Sequence, residues 1–74
     1  MTKRDFEVVA DVLAASTVTA NLTEIQREDL AASFAREYTR THERFDAHRF
    51  YAHAIGRELE QEDVERLRYE GVLA

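Results

Sequence analysis

The chain reads as an all-α protein, a compact three-helix bundle with a short fourth helix at the C-terminus. Three observations carry that reading. There is no proline and only two glycines in 74 residues, too few chain-reversing residues for a turn-rich β fold. Apolar residues recur three and four apart in several stretches. Each of those stretches opens on a residue suited to cap a helix.

The first helix is expected over Lys3–Ala15. Thr2 and Asp5 stand three apart as a capping box, with Asp in place of the usual Glu. Phe6, Val9, Ala10 and Leu13 form one apolar face, and Val8, Val12 and Ala15 a second, roughly opposite stripe. A surface helix of a monomer needs one such face. Two faces leave the helix either central in the fold or shared with another molecule, so Val8, Val12 and Ala15 are candidate contacts for a partner or a second copy. Ser16–Leu22 is rich in β-branched and turn residues and reads as a loop whose hydroxyls bond to nearby backbone.

Thr23 and Gln26 form a second capping box, and the helix it opens should run to about Thr41. Leu30, Phe34 and Tyr38 step by four, flanked by Ala31 and Ala35, and are expected in the core. Arg36, Arg40 and Arg44 also step by four on the opposite side, a candidate contact for phosphates or for an acidic partner. Asp29 and Glu37 share that surface, and a solvated face is the plainer reading.

The third helix is specified most sharply. Asp46 is a good N-cap, and Phe45 and Phe50 stand on either side of it with the spacing of a hydrophobic staple. Ala47, Phe50, Tyr51, Ala54 and Ile55 fall on one broad face, with Arg49 and His53 opposite. Gly56 either terminates this helix or weakens a longer one. Leu59–Tyr69 looks helical again, acidic at its start and basic at its end as the helix dipole favours. Gly71 should stop it, and Val72-Leu73-Ala74 tucks in or frays. The expected core is Phe6, Val9, Leu13, Leu30, Phe34, Tyr38, Phe45, Phe50, Tyr51, Ala54 and Leu67, with the second and third helices as a hairpin-like pair and the first packed across them.

The segment holding Phe45, Asp46, Arg49, Phe50 and Gly56 resembles the tail of small proteins encoded by bacteriophages and prophages, chiefly of actinobacteria. Those carry F-D-x-x-R-F followed by small residues and glycine. The opening Met1–Glu7 is similar to their start. Glu43 stands where they have proline, and Ala54-Ile55 where cysteine is often seen. The resemblance implies a phage-encoded protein working in the bacterial cytoplasm. It brings no established activity, and so no functional residues.

Composition narrows the function. Residues 1–74 make one small domain, whose single core rarely supplies more than ~3–5 kcal/mol. There is no cysteine, hence no disulfide, thiolate or cysteine-based zinc site. A net charge of −5 gives no general attraction to nucleic acid. No apolar run approaches the ~20 residues of a membrane span. His42, Asp46, His48 and His53 invite a metal, but His48 and His53 are five apart and diverge on a helix. A core this small is not expected to hold a pocket of ~300 Å³ or more. No catalytic, cofactor-binding or metal-binding residues are assigned. The expected function is a non-catalytic module that binds a host or phage protein or assembles as a homodimer. The alternative is a nucleic-acid-binding regulator using the three arginines.

Overall fold

Four helices follow in order: α1 (Lys3–Thr19), α2 (Glu24–Thr41), α3 (Ala47–Ile55) and α4 (Gln61–Tyr69). The computed structural model describes residues 2–73, and there are no strands among them. Met1 and Ala74, which belong to the N-terminal segment and C-terminal tail read above, lie outside the described residues. The arrangement is roughly that of three packed helices with a short fourth. α3 packs extensively on both α1 and α2, which meet each other less. Arg49 and His53 reach Glu7 and Asp11 in the same chain order, so α1 and α3 run the same way. α2 runs against both, since Tyr38 meets Phe6 and Phe50 while Arg27 meets Ala14 and Ile55.

Both capping boxes form. Thr2 and Asp5 bond reciprocally at the start of α1, and Thr23 and Gln26 at the start of α2. The Asp46 carboxylate accepts the Arg49 N–H at 3.0 Å, and the Phe45 and Phe50 rings meet at 5.3 Å, closing the staple. Gly56 breaks the chain. It sits at φ +73°, and the Arg57 N–H turns back to the Ala52 carbonyl, a Schellman ending. α4 ends the same way: Gly71 is left-handed, Val72 donates to Leu67, and both side chains are buried.

Two expectations need correction here. α1 does not end at Ala15 but continues through Ser16–Thr19. The hydroxyls of Ser16 and Thr19 donate to the Leu13 and Ala15 carbonyls at 2.6 and 3.1 Å. They bond inside the helix instead of competing with it. The turn waits for Asn21 at φ +56°, a conformation asparagine tolerates better than most residues.

The second correction is the phase of α2. Leu30 and Phe34 are not core residues. The helix buries Ala31, Ala32 and Ala35 and leaves Leu30 and Phe34 on the surface. Alanines at the seam let helix axes approach closely, and the large side chains are displaced to the flank. The remaining core follows the expected pattern. Leu13, Phe50, Tyr51, Ala54 and Leu67 are buried, with Phe6, Val9, Tyr38 and Phe45 packed against them. All five residues assigned to the inner face of α3 are buried.

Candidate functional site

Two features of the surface are candidates: an apolar face shared by α1 and α2, and a cleft between α1 and α3. The face is built by helical phase. Successive residues turn by 100°, so Val8, Val12 and Ala15 fall within about 60° of one another on α1. Glu7 and Asp11 mark the α3 side of α1, and Val12 stands about 100° round the helix from Asp11 and about 140° from Glu7. On α2, Leu30 and Phe34 share the flank toward α1. The Phe34 ring stands 5.9 Å from Tyr38, which stands 4.8 Å from Phe6. Val8 is 53% exposed, Val12 63%, Leu30 41% and Phe34 39%, and Ala15 is exposed as well.

These side chains are in register. Phe6 lies level with Tyr38, and Ala14 with Arg27, whose guanidinium donates to the Ala14 carbonyl at 3.1 Å. The antiparallel pair therefore sets Val12 level with Leu30 and Val8 level with Phe34. Of this face, the sequence identified the α1 half. Leu30 and Phe34 were missed because their four-residue step was assigned to the core.

Arg36, Arg40 and Arg44 are not brought together. α2 ends at Thr41, so Arg44 lies beyond it in the turn to α3, off the helical row. Arg40 is tied to Glu37, an ion pair that raises the guanidinium's pKa and lowers the carboxyl's. A phosphate-tracking stripe on the second helix thus reduces to Arg36 and a paired Arg40.

The cleft overturns the expectation that no pocket of useful size exists. About 610 Å³ opens between α1, the α2–α3 turn and α3. Its floor is Phe6, Ala10, Phe45 and Phe50. Along its rim Arg49 stands 3.8 Å from Glu7, and His53 Nε2 lies 2.5 Å from the Asp11 carboxylate. His42 meets the Phe6 ring in a T-shaped pair at 5.3 Å and shares a 2.9 Å hydrogen bond with the Thr41 hydroxyl. No serine, threonine or cysteine is among the lining residues. The His53 imidazole thus pairs with the Asp11 carboxylate, and the His42 imidazole with the Thr41 hydroxyl. Such a floor can take an apolar group. Among the described residues no three His, Asp or Glu side chains converge to hold a metal ion. No described helix is long and apolar enough to cross a membrane.

Two charged residues that the sequence reading passed over hold the scaffold behind these surfaces. Arg27 is half-buried where α1, α2 and α3 converge, and donates to the carbonyls of Ala14 and Ile55. Asp63, buried at the start of α4, accepts from Arg57 at 2.7 and 3.3 Å and from the Glu60 N–H at 3.0 Å. The Arg57 bonds and the Glu60 N–H hold the Asp63 carboxyl down at about 2. Comparison of the chain with family models, with curated proteins and with solved structures gives no match.

Proposed function

We propose that this chain is a small, non-catalytic protein-interaction module whose working surface is the α1/α2 face. One observation carries the reading: Val8 and Val12 on α1 and Leu30 and Phe34 on the neighbouring α2 stand exposed in a protein with little core to spare, besides the more isolated Val18, Ile25 and Tyr69. Contiguous apolar patches of ~300–600 Å² on a monomer are often functional. On α1 the stripe from Val8 through Val12 and Ala15 to Thr19 carries no charge, unlike the flank with Arg4 and Asp11. Charge depletion at the centre of an apolar patch is the compositional mark of a protein interface. The resemblance of the Phe45–Gly56 segment to phage and prophage proteins supports an accessory role in the cytoplasm of a bacterial host.

The test is affinity capture from a bacterial lysate together with a measurement of self-assembly, using the intact chain. The double substitution V8E/V12E should abolish whichever contact the native chain makes, while R36E/R40E should leave it intact. Circular dichroism confirms that each variant folds. If V8E/V12E loses nothing, the α1/α2 face is not the working surface.

A further inference from the structure

The cleft between α1 and α3 lies apart from the α1/α2 face and has a chemistry of its own. We propose that it binds a small uncharged aromatic molecule carrying one N–H or O–H donor, of the indole or phenol class. The floor selects the ring. Phe6 meets Phe45 at 4.7 Å and Phe45 meets Phe50 at 5.3 Å, with the ring planes inclined at 60° and 58°. Aromatic groups favour such inclined contacts, so an entering ring extends a cluster already packed that way. The volume of about 610 Å³ takes a ring or a fused ring pair, and lies within the ~300–1,000 Å³ of small-molecule sites.

The rim selects against charge. Lys3, Arg44 and Arg49 line the cleft with Glu7, Glu43 and Asp46, so the formal charges cancel. Arg49 faces Glu7 at 3.8 Å, the Asp46 carboxylate caps α3, and His53 pairs with Asp11. An ion of either sign gains no net attraction there and loses hydration on entry, whereas an uncharged ring gives up little. His42 selects the donor. The Thr41 hydroxyl has one proton and two neighbours, the Glu37 carbonyl at 2.9 Å and His42 Nδ1 at 2.9 Å. A carbonyl can only accept, so the hydroxyl proton goes to Glu37, and Nδ1 must supply the hydrogen of the second bond. In that tautomer Nε2 holds a lone pair, and among the described residues it takes no hydrogen bond. His42 lines the cleft and packs against Phe6 of the floor, so this acceptor belongs to a ring that the ligand touches. A donor on the entering ring satisfies it, and a ring with acceptors alone does not.

The test titrates the intact chain with three probes, read by heteronuclear NMR, which gives the site and Kd together. Indole is the first. Benzofuran keeps its shape and puts an ether oxygen in place of the N–H, and indole-3-acetate adds a negative charge. Indole should saturate with Kd at or below about 1 mM and shift Phe6, Ala10, Phe45 and Phe50, while Val12 and Leu30 stay still. It should bind about three- to tenfold more tightly than benzofuran, the range of one neutral hydrogen bond. Indole-3-acetate should bind no more tightly than indole. His42→Phe keeps a ring against Phe6 and removes the acceptor, so indole and benzofuran should then bind alike. Should that variant not fold, the comparison of the two probes on the native chain decides alone. N-acetyltryptophanamide identifies the source of the ring: binding equal to indole's fits a side chain on a peptide, and binding about tenfold weaker fits a free molecule. Shifts in the cleft that fail to saturate by about 10 mM overturn the proposal. So do equal affinities of the native chain for indole and benzofuran, a tighter hold on indole-3-acetate, or shifts confined to Val12 and Leu30. The contact tested by V8E/V12E stands or falls separately.

Discussion

α2 and α3 lie antiparallel in one small domain and treat their large apolar residues in opposite ways. α3 turns Phe50, Tyr51 and Ile55 inward and leaves His48, Arg49 and His53 outside. α2 turns three alanines inward and leaves Leu30 and Phe34 outside. Rotating α2 to bury its leucine and phenylalanine would force its axis away from α3, where Ala31 and Ala35 are fully covered. The close seam wins because packing density across the whole contact outweighs the transfer of two partly exposed side chains. A helix that surrenders its largest apolar groups to the surface is free to use them elsewhere. α3 has none left to give.

The largest expected effect lies on the α3 side of this contrast. Tyr51→Ala removes a ring that is 1% exposed and also accepts a 3.3 Å hydrogen bond from Arg66. Truncating a buried aromatic costs about 3–5 kcal/mol. A core of this size rarely supplies more than ~3–5 kcal/mol in total. The variant should therefore lose cooperative thermal unfolding by circular dichroism at 25 °C. A sharp transition retained in Tyr51→Ala would mean that α3 is not the centre of the packing.

A middle-sized effect comes from the cover over α3. Leu67 and Val72 of the α4 region complete the core, and α4 is started by Asp63 with Arg57. The Asp63 carboxyl titrates at about 2 in the fold, against an ordinary 3.8. Its folded pKa is depressed, so its contribution is fully present above about pH 4 and drains away as the pH falls toward about 2. Because Arg57 is half open to solvent, the contribution is on the order of 1–2 kcal/mol. Urea melts across that window should show the native chain weakening with acid more steeply than Asp63→Asn, which should be weaker already at pH 6. Equal slopes would show that the Arg57–Asp63 link contributes nothing to seating α4.

α3 was almost wholly legible in the sequence. Its cap, staple and terminator are local signals within twelve residues, and its aromatics sit on the same face as its small residues. α2 was legible in extent but not in phase. Alanine adds little to an apolar periodicity, so the heavier Leu30–Phe34–Tyr38 row took the core assignment, and only contact with α3 decides otherwise. The α1 extension was hidden because Ser16 and Thr19 could bond to the backbone inside a helix as readily as in a loop. Arg27 and Asp63 were illegible for a different reason. Arg27's acceptors lie 13 and 28 residues away, and nothing beside it in the chain announces them. The candidate surface was half visible. Val8 and Val12 stand on an α1 face with no inward role, which the periodicity shows, whereas Leu30 and Phe34 on α2 share the spacing of a core row.

The smallest effect tests the contrast most directly. Phe34→Ser should change the stability of the dissociated chain by under about 1 kcal/mol, since the ring is already open on one side and touches Tyr38 alone among the aromatics. The measurement is a pair of thermal melts, one dilute and one concentrated. Mass action makes the midpoint of a self-associating chain rise with concentration. A self-associating native protein shows that rise and Phe34→Ser does not, while the two coincide at the dilute end; a native midpoint that stays fixed assigns the face to a different protein. A loss of several kcal/mol at the dilute end would return Phe34 to the core and erase the difference between the two helices. A small, concentration-dependent loss instead assigns the ring's energy to contacts outside its own domain.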